Sequence, residues 1–182
     1  TKIAITISSA LKAMYTTVHE ETEDVYREDF IIQAIENLAI ILKEMYPKMN
    51  DGALPNMEDM LKMFTNFDLI EKMCEIMAHD ETLRNKYSVQ LSYFKKCFYK
   101  DGVGKEQTER DIYAAVTQLD NLLRLPGVKS ILCNRFNNID FDKALENGEL
   151  TFICTRRGDL GSSTHQAFGL FFLISMQNAV LR

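Results

Sequence analysis

Tryptophan is absent from this 182-residue sequence, and proline, histidine and cysteine are scarce. The three histidines are far apart in the chain, so the sequence predicts no metal site. The cysteines form no CxxC pair, and four in a chain of this length is ordinary usage, which predicts free thiols in a reducing, cytoplasmic compartment. We expect these thiols to be buried as small apolar groups: Cys74, Cys97, Cys133 and Cys154.

Excess positive charge and long apolar runs are also lacking. Lysine and arginine number 21 against 26 acidic residues, which gives a net charge of −5 and argues against a surface that grips nucleic acid throughout. The net charge does not exclude a local basic patch. No run of 18 apolar residues and no signal peptide are found, so we expect no membrane contact. Because the sequence starts at Thr1 rather than at Met, we expect an excised fragment.

Catalytic signatures are missing as well. The sequence has no GxxxxGK[ST] phosphate loop, no apolar strand ending in Asp-Glu and no recognisable Ser-His-Asp or Cys-His arrangement. We therefore expect no catalytic residue and no cofactor in this chain, and no ATP hydrolysis by the chain alone.

Apolar residues at helical spacing dominate residues 1–147. One face runs through Ile7, Leu11, Met14 and Val18, and a longer one starts at Ile31 and is predicted to end at Pro47. The clearest amphipathic helix spans Lys105 to about Arg124. This pattern predicts a bundle of six to eight helices joined by short loops.

Capping residues mark several of the predicted helix ends. Asn56, Asp68 and Asp80 each precede an apolar helix, and the helix after Asp80 is expected to continue to Lys100. Gly148 is predicted to stop the helix over "DFDKALEN". The acidic stretch "HEETEDVYRED" reads as a solvated turn that could also meet a basic partner.

The last 35 residues break the helical pattern. "ELTFIC" predicts a short strand, "TRRGDLGSS" a turn, and Ala167 to Ile174 a helix that is apolar nearly all round. We expect Ser162, Ser163 or Thr164 to cap that helix. A strand needs partner strands that this sequence does not supply, so the tail is expected to belong to a sheet outside the chain. The fold class predicted is mainly α: an irregular helical domain over 1–147, then a strand-turn-helix over 148–182 from a truncated α/β core.

A family resemblance is carried by "NNIDFDKALENGELTFICTRRGDLGSSTHQAFGLFFLISMQNAVLR". This stretch resembles the approach to the Walker B strand in TraG-like coupling-protein ATPases of conjugative type IV secretion systems. The earlier "YREDFIIQAIENLAIILKEMYP" and "TERDIYAAVTQLDNLL" are similar to the all-alpha domain inserted in that family's nucleotide-binding domain. The resemblance implies a hexameric, membrane-anchored parent that uses ATP and Mg²⁺ for DNA transfer, with this domain at the cytoplasmic face of the bacterial membrane.

Two groups of residues are candidate anion sites. Arg156 and Arg157 follow the predicted strand and, with Ser162, Ser163 and His165, could hold a phosphate of nucleotide or DNA. The alternative is an exposed turn in which Asp159 pairs with one arginine.

The second group is a lysine cluster interleaved with Phe94, Phe98 and Tyr99, which is the composition of a single-strand DNA surface: Lys95, Lys96, Lys100 and Lys105. The alternative is a solvated helix face whose aromatic residues belong to the core.

The resemblance and the acidic charge together predict a substrate-recruiting domain. Docking of a relaxosome or accessory protein is favoured over unaided DNA binding. The alternative is a stand-alone helical regulatory or scaffold domain that acts through protein–protein interaction.

Overall fold

The protein is mainly helical. A computed structural model describes residues 25–102, 104–136 and 139–180, and the predicted helix around Ile7–Val18 and the acidic residues Glu20 to Asp24 lie outside them. Within these ranges the α-helices are α1 (Val25–Met49), α2 (Met57–Thr65), α3 (Phe67–His79), α4 (Glu81–Lys86), α5 (Ser88–Tyr93), α6 (Lys105–Leu123), α7 (Pro126–Leu132), α8 (Phe141–Glu146), α9 (Arg157–Leu160) and α10 (Ser162–Val180). A π-helix (Phe94–Phe98) and a 3₁₀ turn (Lys100–Gly102) connect α5 to α6.

Helix α1 is longer at both ends than its apolar pattern predicts. It begins at Val25, inside the stretch predicted to be a turn, and it runs past Pro47 to Met49. Pro47 lacks an N–H, but the chain leaves the helix within the next turn, so little helical hydrogen bonding is lost. The turn that follows is left-handed at Asp51 and Gly52 (φ 50° and 83°), and the Gly52 N–H donates to the Pro47 carbonyl at 2.8 Å.

The caps predicted for α2 and α4 are formed, and the cap predicted for α3 is shifted. Asn56 caps α2 in a reciprocal box with Asp59, each side chain accepting from the other's backbone N–H at 3.0 Å. Asp80 caps α4 and Asp140 caps α8. The prediction that Asp68 caps α3 is wrong, because the side chain of Asn66 accepts the Asp68 N–H and Asp68 lies in the first turn.

The single helix predicted from Asp80 to Lys100 is divided into α4, α5 and the π-helix. The apolar residues that recur along it at helical spacing nevertheless face the core, with Leu83, Phe94 and Phe98 buried and Tyr87 and Leu91 half-buried. The wider π turn lets Tyr93 join Phe94 and Phe98 in the core, since all three are under 9% exposed.

The main core lies around α1. Ala34, Leu38 and Ile41 are fully buried there, and α2 and α3 contribute a methionine-rich face. Because methionine fills irregular gaps, it packs the junctions between short helices that meet at different angles. That face consists of Met57, Met60, Met63, Met73 and Met77.

A smaller apolar cluster joins the C-terminal helices to the bundle. Leu122 and Val128 pack there against Phe168 and Phe172 of α10, whose rings lie 4.9 Å apart edge to face. Helices α8 and α9 also contact α10. On the other sides α10 is less covered, with Leu173 65% and Val180 66% exposed.

The predicted strand over "ELTFIC" does not form among the described residues. Residues 149–156 run without helix, turn or bend before α9. A strand requires a neighbouring strand for its hydrogen bonds, and the described residues provide none. The turn predicted over "TRRGDLGSS" contains the short helix α9. The prediction that Ser162, Ser163 or Thr164 caps the last helix is also wrong, because α10 already includes Ser162 and Gly161 (φ 74°) precedes it.

Glu44 links α1 to the segment that follows α4. Its carboxylate accepts from Lys48 at 2.6 Å, from the Tyr87 hydroxyl, and from Lys86 at 3.4 Å. The hydrogen bonds from Lys48 and Tyr87, helped by the two positive charges, lower the pKa of Glu44 to about 2. The carboxylate is thus stabilised in its charged form by the fold.

We predict that Glu44→Gln lowers the free energy of unfolding by about 1 kcal/mol at neutral pH, since it weakens charge-assisted hydrogen bonds. The lowered pKa means that the wild-type contribution is complete above about 4.5 and is lost as the pH falls toward about 2. Urea unfolding across this range should show the wild-type and variant curves converging. Glu75→Gln, exposed on α3, is the control, and a constant gap between wild type and Glu44→Gln would contradict the prediction.

Candidate functional site

The segment 149–156, here called the open segment, is the most exposed apolar stretch of the described chain. Leu150 is 87% exposed and Phe152 91%, and Ile153 is 38% exposed. The Glu149 N–H is bonded to the Ala144 carbonyl, and the Thr155 carbonyl accepts from His165 Nδ1 at 2.7 Å. Between these two anchors an apolar sequence is held away from both clusters.

The predicted phosphate site lies at the end of the open segment, and its residues are neighbours. Arg156 lies 3.8 Å from Asp159, and Arg157 donates to the Ser162 hydroxyl at 3.2 Å. His165 directs its Nδ1–H to the Thr155 carbonyl and so ties the start of α10 to the end of the open segment. The side chain of Ser163 lies outside those the structure describes. The geometry matches the alternative of an exposed turn with an Arg–Asp pair.

The lysine cluster is divided by its ion pairs. Lys105 contacts Asp68 at 2.7 Å, an interaction that raises the pKa of Lys105, and Lys100 lies 3.9 Å from Asp111. Lys95 and Lys96 are exposed on the π-helix. At 1% and 0% exposure, Phe94 and Phe98 cannot stack on nucleic-acid bases. The aromatic part of the predicted DNA surface therefore belongs to the core.

A buried polar network that the sequence did not predict lies on the other side of the bundle. The Asp59 carboxylate is 3% exposed and lies 2.9 Å from Arg135 Nη1, and the Tyr46 hydroxyl donates to it at 2.8 Å. Arg135 also donates to the Tyr46 hydroxyl at 2.9 Å and to the Leu54 carbonyl, and its guanidinium lies over the Tyr46 ring. The network joins α1, α2 and the bend after α7.

Hydrogen bonding outweighs desolvation in this network. Burial by itself would raise the pKa of Asp59, but bonds from Arg135, from the Asn56 N–H and from Tyr46 hold that pKa below its usual value. Burial, together with the Asp59 charge, raises the pKa of Tyr46. The ionised form of Asp59 is therefore favoured, and its bonds to α1, α2 and the bend after α7 make the arrangement a structural clamp.

The sequence carried a signal for one half of this clamp. Asn56-x-x-Asp59 before an apolar helix is a capping-box pattern, and it identifies Asp59 as a helix-start residue. Nothing local indicates Arg135, which is 76 residues away. A second link at the same place is the Asn56 side-chain amide, which donates to the Cys133 carbonyl at 2.7 Å.

Metal-ligating clusters and membrane-spanning helices are both missing from the described residues. The described residues contain no cluster of three or more metal-ligating side chains. Among their helices none combines the length and apolar character needed to cross a bilayer. All four cysteines are free thiols, as predicted, but the prediction that they are buried is wrong for Cys97 and Cys154, which are exposed, and Cys74 and Cys133 are half-buried. Burial, with nearby carboxylates, raises the pKa of Cys74 to about 12, so this thiol is not a nucleophile at neutral pH.

Comparison of the chain with known protein families, with curated proteins and with solved structures found no match. The class that the structure itself defines is a helical bundle that presents an uncovered apolar segment near its C-terminal helix.

We predict that Arg135→Ala lowers the free energy of unfolding by about 2–3 kcal/mol, because it leaves the buried Asp59 carboxylate without its cation. Arg124→Ala is the matched control, since Arg124 pairs with Asp120 on the surface of α6 and should cost under about 0.5 kcal/mol. Urea unfolding at neutral pH measures both. Equal losses in the two variants would contradict the clamp.

Proposed function

We propose that this chain is the substrate-recruiting all-alpha domain of a TraG-like coupling protein of a conjugative type IV secretion system. In this proposal the domain works at the cytoplasmic face of the bacterial membrane, as part of a hexameric, membrane-anchored parent. It docks a relaxosome or accessory protein, and ATP with Mg²⁺ is bound and hydrolysed elsewhere in the parent. The chain alone does not hydrolyse ATP.

The observation that carries the proposal is the open segment beside a compact helical bundle. An apolar, strand-like sequence with Leu150 and Phe152 almost fully exposed is what remains of a sheet strand when its neighbours are not in the chain. The stretch around it is also the one that resembles the approach to the Walker B strand of the coupling proteins. Two independent features, one of surface and one of sequence, therefore support the same interpretation.

The charge distribution supports a protein partner over DNA. The chain carries a net charge of −5, and two of the four clustered lysines are paired with carboxylates. Binding to a nucleic-acid backbone depends on unpaired positive charge, whereas relaxases and their accessory proteins must themselves bind DNA and so carry basic surfaces. A chain with a net negative charge suits such a partner.

Helix α6 offers a physical route from the bundle to the nucleotide-binding part. Leu119 and Leu123 belong to the main core, while Leu122 belongs to the cluster that holds α10. A partner that tilts the bundle helices would shift α6, and with it the packing of Phe168 and Phe172. The hypothesis is a relay from the docking face to the open segment.

An observation also favours the second candidate, a stand-alone helical scaffold domain. Phe168 and Phe172 are 7% exposed, so one face of α10 does pack on the bundle. The exposure of Leu150 and Phe152 weighs against it, since a self-contained domain has no reason to leave both in water.

We predict that the complete reading frame contains GxxxxGK[ST] ahead of this sequence and an apolar strand ending in Asp-Glu after it. The relaxase encoded on the same genetic element should bind this chain in isothermal titration calorimetry, with affinity that falls as salt is added, because the contact is ionic.

Lys95→Glu with Lys96→Glu tests the DNA alternative. If the docking proposal holds, the double variant binds the relaxase unchanged, and neither protein form holds a single-stranded oligonucleotide. Should the wild type bind that oligonucleotide and the variant lose about one unit of salt slope per lysine, direct DNA contact would replace protein docking. A reading frame without the phosphate loop would remove the coupling-protein assignment altogether.

A further inference from the structure

The open segment has unused backbone groups as well as exposed side chains. Within the described part of the chain, the N–H and C=O groups of residues 150–154 have no hydrogen-bond partner. Leu150, Phe152 and Cys154 alternate with Thr151 and Ile153, so a strand conformation places the first three on one face. Exposed backbone groups in a strand-forming sequence are a template for pairing with another strand.

The charged residues at the two ends of the open segment make it complementary to a second copy of itself. Glu149 stands at the start of the open segment, with Arg156 and Arg157 at its end, and all three are exposed. Two copies of the segment placed antiparallel bring the acidic end of each beside the basic end of the other. A parallel pair would instead set like charges together, which is destabilising.

We propose that the open segment pairs antiparallel with the open segment of a second copy of this chain, forming a symmetric, reversible dimer. The proposal goes beyond the proposed function, since it concerns this chain on its own, where strands of a larger protein do not cover the segment.

Two-fold symmetry restricts the register. The axis of an antiparallel pair of identical strands passes between one residue and its own copy. With Phe152 at the axis, the two Phe152 rings face each other, and Leu150 of each copy lies opposite Cys154 of the other. Glu149 then lies opposite Thr155 of the other copy, where the open segment ends and α9 begins, so Arg156 and Arg157 of that copy are close to the Glu149 carboxylate.

The first test is the mass of the protein by sedimentation equilibrium over a range of concentrations. The wild type is expected to approach twice the 21.0 kDa of one chain as concentration rises. Phe152→Glu should remain at 21.0 kDa, because it sets two carboxylates opposite each other at the axis. The control is Phe136→Glu, which changes a side chain that is 81% exposed but lies outside the segment, and it should dimerise like the wild type.

A charge exchange tests the orientation. Glu149→Arg alone should weaken the dimer, and Glu149→Arg combined with Arg157→Glu should restore it. Restoration is a result that loss of folding cannot produce. If the double variant is as weak as the single one, the antiparallel arrangement is wrong.

Cysteine cross-linking tests the register. Phe152→Cys in a Cys97→Ser, Cys154→Ser background should give a disulfide-linked dimer under mild oxidation, since opposed strand residues lie within disulfide range. Val89→Cys in the same background, also highly exposed but on α5, should not.

Two outcomes of the sedimentation experiment would overturn the proposal. One is a wild type that stays at 21.0 kDa throughout, and the other is a dimer that Phe152→Glu and Phe136→Glu weaken equally. A monomer whose residues 150–154 are protected from hydrogen exchange would assign the segment to another part of the same chain and would also overturn it. None of these results bears on the reading frame or on relaxase binding, so the proposed function fails or stands separately.

Discussion

The carboxylate of Asp59 is the group on which the arrangement of this bundle most depends. A carboxylate at 3% exposure is costly unless every lone pair is engaged, and here a backbone N–H, a phenol and a guanidinium engage it together. Each partner lies on a different piece of chain: Asn56 at the start of α2, Tyr46 on α1 and Arg135 after α7. The carboxylate therefore fixes three segments relative to one another, and removing any partner leaves a buried charge to be compensated.

Helix α6 transmits that fixed arrangement to the C-terminal helices. Adjacent residues on a helix point about 100° apart, so Leu122 and Leu123 face different clusters from a single rigid element. Leu132 at the end of α7 also contacts both clusters, just before the bend that carries Arg135. The position of α10 is thus set by the same short region that the Asp59 clamp holds against α1 and α2. A change in the clamp would therefore shift α7 and α6, and through them α10 and the neighbouring open segment.

Most features decided within four residues of chain were predictable from the sequence. The caps at Asn56 and Asp80 and the stop at Gly148 follow from local hydrogen bonds and backbone preference and are confirmed, whereas the caps predicted at Asp68 and at Ser162 to Thr164 are displaced from the observed helix starts. The apolar stripes were also predictable, because burial follows helical spacing whether or not a helix is interrupted. The division of the segment after Asp80 was not, since the π turn depends on how Tyr93 and Phe98 fit neighbouring helices.

Candidate site residues were harder to judge because their neighbours decide their role. Phe94 and Phe98 have the composition of a base-stacking surface, and only the tertiary packing places them in the core. Arg135 has no local signal, yet it completes the clamp from 76 residues away. Arg156 lies near Asp159 and Arg157 donates to Ser162, and these contacts do not distinguish a phosphate site from an exposed turn. The sequence thus shows where charged residues are clustered, but not which groups they contact in the folded chain.

The open segment selects the kind of surface that can cover it. Burying Leu150 and Phe152 is worth about 1.5–3 kcal/mol each, which favours any apolar cover. The backbone between them opposes most covers, because a peptide group taken out of water without a hydrogen bond costs a comparable amount. A helix face or a smooth groove would bury the apolar side chains but would leave the peptide groups of the segment without hydrogen bonds. A strand buries the side chains and also bonds the peptide groups, because its own N–H and C=O groups repeat at the same spacing. The segment is thus suited to a β partner, and the described residues, which contain no strand, do not provide one.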